Sequence, residues 1–253
     1  MHAESNDTSH TELAQTASAL APVLREQLAR EWTRAAQFEH ASIASFGRFA
    51  FELLALGAPP QLVADAHRAA LDEIRHAQLC FGIASAYAGK SLGPGPLPVD
   101  ASVLRTIDLH TAVRAAVMEG CVGETLAAIE AQHSCALTQV AAVRSALGSI
   151  AREEAEHAGL AYRFVSWAVS AHPDTIRSTV RSAFNLASEH LRGIETPRSD
   201  PNARALEAHG RLCARERHVL RLRALDQLIA PLAHDLSRGF GMPARYPRAQ
   251  QAV

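Results

Sequence analysis

The chain carries two copies of one short pattern, Asp72-Glu73-Ile74-Arg75-His76-Ala77 and Glu153-Glu154-Ala155-Glu156-His157-Ala158, 81 residues apart. Residues three apart on an α-helix lie on one face about one turn from each other, so each copy turns a carboxylate and an imidazole toward the same point. Each copy is half of a metal site.

Upstream glutamates complete each half. Glu39 precedes Glu73 by 34 residues and Glu124 precedes Glu154 by 30, so two antiparallel helices folded near the midpoint bring each pair to a common level. The candidate ligands are then Glu39, Glu73, His76, Glu124, Glu154 and His157. Four carboxylates and two imidazoles on four helices match the inward-facing ligand set of a bundle that holds two iron or two manganese ions. Oxygen and imidazole donors suit those metals better than a soft, thiolate-preferring one.

Composition alone yields about one Glu with a His three places on, given 13 His and 17 Glu in 253 residues. The chain has three. Glu130-Ala131-Gln132-His133 lacks the preceding acid, the following Ala and a hairpin partner, so it reads as the coincidental one. A duplicated, flanked and partnered pair is much harder to obtain by accident.

The elements that must position these residues read as helices separated by breakers. A first helix over about residues 21–56 places Glu39 within the apolar stripe Trp32, Ala35, Ala36, Ser42, Ile43 and Phe46. A buried Glu without a partner costs several kcal/mol, so its presence there argues for a ligand. Gly57-Ala58-Pro59-Pro60 breaks the chain beside the midpoint of the first pair, and a second helix runs to about Ala88. Gly89 to Thr106, with Gly93-Pro94-Gly95-Pro96 and Pro98, is a long crossover to a second hairpin. Its helices span about 108–133 and 138–171, with a turn near Ser134 to Thr138.

Glu119 and Glu124 are five residues apart and point about 140° away from each other on a regular helix, so only one can face the metals. Glu124 is favoured, because Cys121, Ala127 and Ala128 surround it with small side chains. Glu119 stays open as a substitute ligand or supporting acid. Beyond Ala171, His172-Pro173-Asp174 restarts a helix, and a sixth helix is expected from about Ala203 to Leu236, bent at Pro231. Residues 1–19 are expected to be disordered, 20–171 to form the bundle, 172–238 to pack on it as a helical extension, and 239–253 to be an irregular tail.

On the strength of Glu39, Asp72-Glu73-Ile74-Arg75-His76, Glu124 and Glu153-Glu154-Ala155-Glu156-His157, the chain resembles the ferritin-like di-iron carboxylate superfamily, over about residues 20 to 170. That superfamily includes ferritins, rubrerythrins, fatty-acid desaturases, bacterial multicomponent monooxygenases and arylamine N-oxygenases. The resemblance implies an all-α, ferritin-like four-helix bundle, here with two additional C-terminal helices. It also implies that Asp72 supports His157 and that Glu153 supports His76, each fixing an imidazole tautomer.

Composition agrees. With 48% hydrophobic residues the chain is long enough for one core, and a net charge of -1 implies no nucleic-acid or membrane partner. The polar opening residues carry no apolar run of signal-peptide or transmembrane length, which makes the cytoplasm the expected compartment. Cys80, Cys121, Cys135 and Cys213 show no CxxC pairing, so a rubredoxin-type or zinc module is not expected; they read as core thiols, with Cys121 set apart by its place three residues before Glu124. Trp32, Tyr162 and Trp167 read as core packing before electron carriers. Between Arg204 and Asp226 basic residues exceed acids by three, read first as a solvated face and second as a dock for an acidic electron donor.

The expected function is that of a non-heme di-iron oxygenase or oxidase, which hydroxylates, desaturates or N-oxygenates a small organic substrate with O2. Two iron ions are the expected cofactor, with manganese an alternative, and an electron donor or reductase is the expected partner of a monomer or small homo-oligomer. A ferroxidase that handles iron, and a dimanganese catalase-like enzyme, use the same ligand types and are the rival readings.

Overall fold

A computed structural model describes residues 12–99 and 107–238. The described residues are helical or irregular, with no strand among them. Residues 1–11, 100–106 and 239–253, and with them the irregular tail and the end of the crossover, lie outside the described part.

Two helical hairpins carry the candidate site. Helix α1 (Pro22–Ala55) ends at Gly57, whose φ of 63° suits glycine, and α2 (Pro60–Ala88) starts with proline at its first position, where no N–H is missed. Gly89, left-handed at φ 67°, closes α2. The third rod is one continuous run of α3 (Leu109–Ala115), a π-helical segment (Ala116–Glu124) and α4 (Thr125–Leu137). Its start is capped by Asp108, whose carboxylate accepts from the Thr111 amide at 2.9 Å. Helix α5 (Ala141–Ala171) completes the second hairpin, which meets the first chiefly where α5 packs on α2.

The turn before α5 falls at Thr138–Val140, later than the expected Ser134 to Thr138. Thr138 and Val140 are extended, and the turn is held from outside: the Gln139 amide and the Thr138 hydroxyl both donate to the carbonyl of Ala208, at 2.8 and 3.1 Å.

Helix α6 (Pro173–Gly193) buries Ile176, Val180, Phe184, Ala187 and Leu191 against the third rod and α5. The expected continuous sixth helix is instead broken. A short α7 (Ala203–Ala208) ends at Gly210, φ 76°, before α8 (Ala214–Ala224), a second π segment (Leu225–Ile229) and α9 (Ala230–Arg238). Pro231 thus lies inside a continuous helical run, directly after the π segment, where the Ala230 amide already bonds back to Leu225 and the regular ladder is interrupted. The expected disorder of residues 1–19 also needs correction: residues 12–18 are helical and bury Leu13 and Ala17 in the core.

The apolar core is divided in two. One part joins Phe46, Leu53, Leu62, Val117, Phe164 and Val165 to the C-terminal helices; the other gathers Leu28, Trp32, Cys80, Tyr87, Leu147, Ile150 and Leu206. Between them, along every rod, lies a layer of Glu and His. No described helix is long and apolar enough to cross a membrane.

Candidate metal centre

That polar layer brings together all six candidate ligands. Glu39, Glu73, His76 and Glu154 converge as one group, and Glu73, Glu124, Glu154 and His157 as another; within each group one donor atom per residue lies within 4.8 Å of the others. The groups share Glu73 and Glu154. Each is then completed by one further Glu and one His, so the duplicated pattern yields two equivalent half-sites bridged by two carboxylates.

Burial sharpens the point. Glu73 and His76 are 0% exposed, Glu154 2% and His157 3%, whereas Glu39 and Glu124 are half-buried and face a cleft. Both Glu73 oxygens and the Nδ1 of His76 make no hydrogen bond, although their surroundings exclude water. Buried carboxylate oxygens without donors are costly, and a cation among them removes the cost.

The imidazoles are held from behind. His76 Nε2 lies 2.8 Å from Glu153 of α5, and His157 Nε2 lies 3.4 Å from Asp72 of α2. A nitrogen facing a carboxylate carries the proton, so in the neutral ring Nδ1 presents a lone pair. Those lone pairs point into the acids: His76 Nδ1 is 3.2 Å from Glu154, and His157 Nδ1 is 3.1 Å from Glu73. Lone pairs facing carboxylates require either protons or metal ions between them.

Without metal, protons fill that role. Burial works against charged imidazoles here, yet the carboxylates of Glu154 and Glu73 close to both Nδ1 atoms push His76 up to about 11 and His157 up to about 10. Burial first, and the neighbouring Glu154 and Glu73 next, raise the carboxyl groups of Glu39 and Glu124 well above the ordinary range. Glu154 moves the other way: burial opposes its charge, but the adjacent imidazoles of His157 and His76 hold it low. The cluster fits a pair of divalent cations with oxygen and imidazole ligands.

The π segment changes the status of Glu119. In a helix with i→i+5 hydrogen bonds residues five apart come round to the same side, so the regular-helix premise that set Glu119 and Glu124 apart does not apply. Both line the cleft and an adjoining small void. Glu119 does not reach the cluster; it is half-exposed and bonded to Arg48 of α1 at 2.5 Å. Gly120 permits the wider turn to press on α5, since a Cβ there would lie 2.3 Å from that of Ala161.

The third pattern stays apart, with Glu130 paired to Arg217 and Arg221 and His133 exposed. Those pairs also correct the expectation of a freely solvated basic face: Arg217 further binds Glu31 at 3.3 Å, and both arginines fasten α8 to the hairpins. Cys80 and Cys121 are buried, and burial raises both thiols. Trp32 is fully buried, while Tyr162 and Trp167 pack at the core's margin.

Arg75, inside the first copy of the motif, is a further member of the centre. Arg75 binds both imidazole-supporting acids, Asp72 at 2.9 Å and Glu153 at 2.8 Å. Its place three residues after Asp72 was the available signal.

Three spaces adjoin the cluster, one of them on the side of Asp72, Arg75, Glu153 and His157. A void of about 40 Å³ lies among Phe46, Phe49, Ala116, Glu124, His157 and Leu160, and a cleft of about 450 Å³ opens beside Glu39 and Glu124. Comparisons with protein-family models, with curated proteins and with solved structures find no match to this chain.

Proposed function

We propose that the chain is a ferritin-like, non-heme di-iron oxygenase or oxidase that hydroxylates, desaturates or N-oxygenates a small organic substrate with O2. The observation that carries it is the pair of four-residue groups sharing Glu73 and Glu154. Glu39 and His76 would hold one ion and Glu124 and His157 the other, with Glu73 and Glu154 available to both. The bound metals would supply the electrons by which O2 is activated.

The chain's own residues set the conditions. Glu153 and Asp72 keep the Nε2 protons in place, so that Nδ1 stays available as a ligand. The two shared acids, Glu73 and Glu154, are buried, while Glu39 and Glu124 are half-buried and border the cleft. Phe46 packs edge-on against His157 at 4.9 Å and, with Phe49 and Leu160, keeps the small void apolar. That void is large enough for one small molecule. The apolar void beside Glu124 and His157, with the cleft next to it, favours an organic substrate over iron storage, because a ferroxidase needs no apolar space beside its ligands.

Anaerobic iron(II) titration followed by O2 tests the proposal. Two ions should bind per chain, and O2 uptake should depend on a reductant and an organic acceptor. A large shell that mineralises iron well beyond two ions would replace this reading with a ferritin. Selective manganese retention with peroxide disproportionation would replace it with a catalase.

A further inference from the structure

Arg211 has no counterpart in the metal chemistry. It follows Gly210 in the connection that crosses the end of the bundle between α7 and α8. This connection is wedged tightly: a Cβ on Gly210 would lie 2.5 Å from Val143, 2.9 Å from Leu147 and 3.2 Å from Trp32. The Trp32 indole donates to the His209 carbonyl at 3.3 Å, and the Tyr87 hydroxyl is bonded to His209 Nδ1 at 2.9 Å. The backbone that carries Arg211 is therefore fixed on three sides.

The guanidinium so placed lies over the Trp32 ring, 5.0 Å from its centroid, and lines the same cleft as Glu39 and Glu124. Its Nε is buried without a hydrogen-bond partner. No carboxylate among the described residues pairs with it, in contrast to Arg217 and Arg221 alongside, which are matched by Glu31 and Glu130. A guanidinium is always charged in proteins and offers a planar fork of donors, so an unmatched one at the wall of a cleft, with its Nε buried, is a site for a planar anion.

We propose that the cleft binds a small organic monocarboxylate, with its carboxylate held by Arg211 and its body directed along α1 toward Glu39 and Glu124. This inference rests on the proposed di-metal function for what happens to the far end, but not for the binding itself. Trp32 precedes Glu39 by seven residues, so the anchor and the ligand cluster are about 10 Å apart along the helix. The wall between them includes Ala35, Phe38, Ala127, Leu147 and Ile150, which suits an apolar chain or aromatic body. The other arginines of the cleft, Arg34, Arg217 and Arg221, are matched by Glu31 and Glu130, so Arg211 offers one unmatched charge, which suits a single carboxylate better than a multiply charged anion such as a phosphate ester.

The test uses full-length protein with Trp167→Phe, which leaves Trp32 as the single indole. Octanoate, 4-phenylbutyrate and their neutral amides are titrated against Trp32 fluorescence, in metal-free and in metal-loaded protein. At least one acid should bind tenfold or more tightly than its amide in both forms. Arg211→Gln should bring acid and amide within about twofold of each other without changing metal uptake. Equal binding of acid and amide, no binding of either acid, or a preference that survives in Arg211→Gln overturns the proposal; the wild-type comparison decides alone if that variant does not fold. Metal content measured on the same samples separates the two readings, since acid preference without two-ion uptake refutes only the di-metal function, and the reverse refutes only the anchor.

Discussion

Arg75 of α2 reaches across to Glu153 of α5 at 2.8 Å while holding Asp72 of its own helix at 2.9 Å. Those two acids face the two imidazoles from opposite helices, so one guanidinium ties both outer supports together. The duplicated pattern is unsymmetrical here, because the second copy has Glu156 where the first has Arg75. Arg75 is half-exposed, so its ion pairs add little to folding stability. Its effect should appear in the orientation of the rings. Arg75→Gln is expected to weaken binding of both metals by about tenfold, the lower end of the loss when an outer support is removed, with little change in Tm. Metal titration by competition with a chelator checks this, and unchanged affinity would remove Arg75 from the centre.

Ligand substitutions should separate metal binding from folding. His76→Ala and His157→Ala should each lower occupancy sharply, whereas His133→Ala should leave two ions bound. Glu124→Gln should weaken metal binding and yet raise the stability of the metal-free protein, by about 1–2 kcal/mol, because it removes a carboxyl that burial and Glu154 oppose. Chelator-treated samples compared by denaturant unfolding give the sign. A Glu124→Gln protein less stable than wild type without metal would show that the cluster is not strained by its own charges.

The ligand set was legible in the sequence because it rests on helical arithmetic: Glu73 with His76 and Glu154 with His157 are local pairs, and a short turn at Gly57 makes the partner of Glu73 predictable. What was hidden depends on distant contacts. The turn at Thr138–Val140 carries no Gly or Pro, since its hydrogen bonds go to Ala208, 70 residues away. The break at Gly210 was lost within an otherwise helical pattern, and the π segment has no periodic signature of its own. Side-chain spacing on a regular helix therefore turned Glu119 away from the side of Glu124, whereas both line the cleft and Glu124 alone joins the cluster.

Gly120 ties the π segment to the site. A methyl group at this position would meet the Ala161 side chain at 2.3 Å, and neither backbone has a flexible side chain to yield. Gly120→Ala should push the third rod away from α5 and displace Glu124 from Glu154 and His157, at a cost of about 1–3 kcal/mol. Loss should fall first on the Glu124 and His157 ion, leaving the Glu39 and His76 ion bound. Pairing it with Ala161→Gly should restore the second ion. Two ions in the single variant would show that the close approach is dispensable.

His209 gives the fold an acid sensitivity apart from the metal ligands. Burial holds its imidazole below the ordinary value near 6.5. As pH falls through 6.5 the unfolded chain takes up a proton that the folded chain resists, so stability is lost on the acid side and is unaffected above about pH 7.5. Each unit by which the folded value is depressed corresponds to about 1.4 kcal/mol. His209→Gln offers the Tyr87 hydroxyl an amide partner and cannot titrate, so its stability should fall less steeply between pH 7 and 5 than that of wild type. Denaturant unfolding of both metal-free proteins across that range isolates the difference, because the remaining titratable groups are shared. Parallel curves would mean that His209 is protonated in the fold as readily as in the unfolded chain.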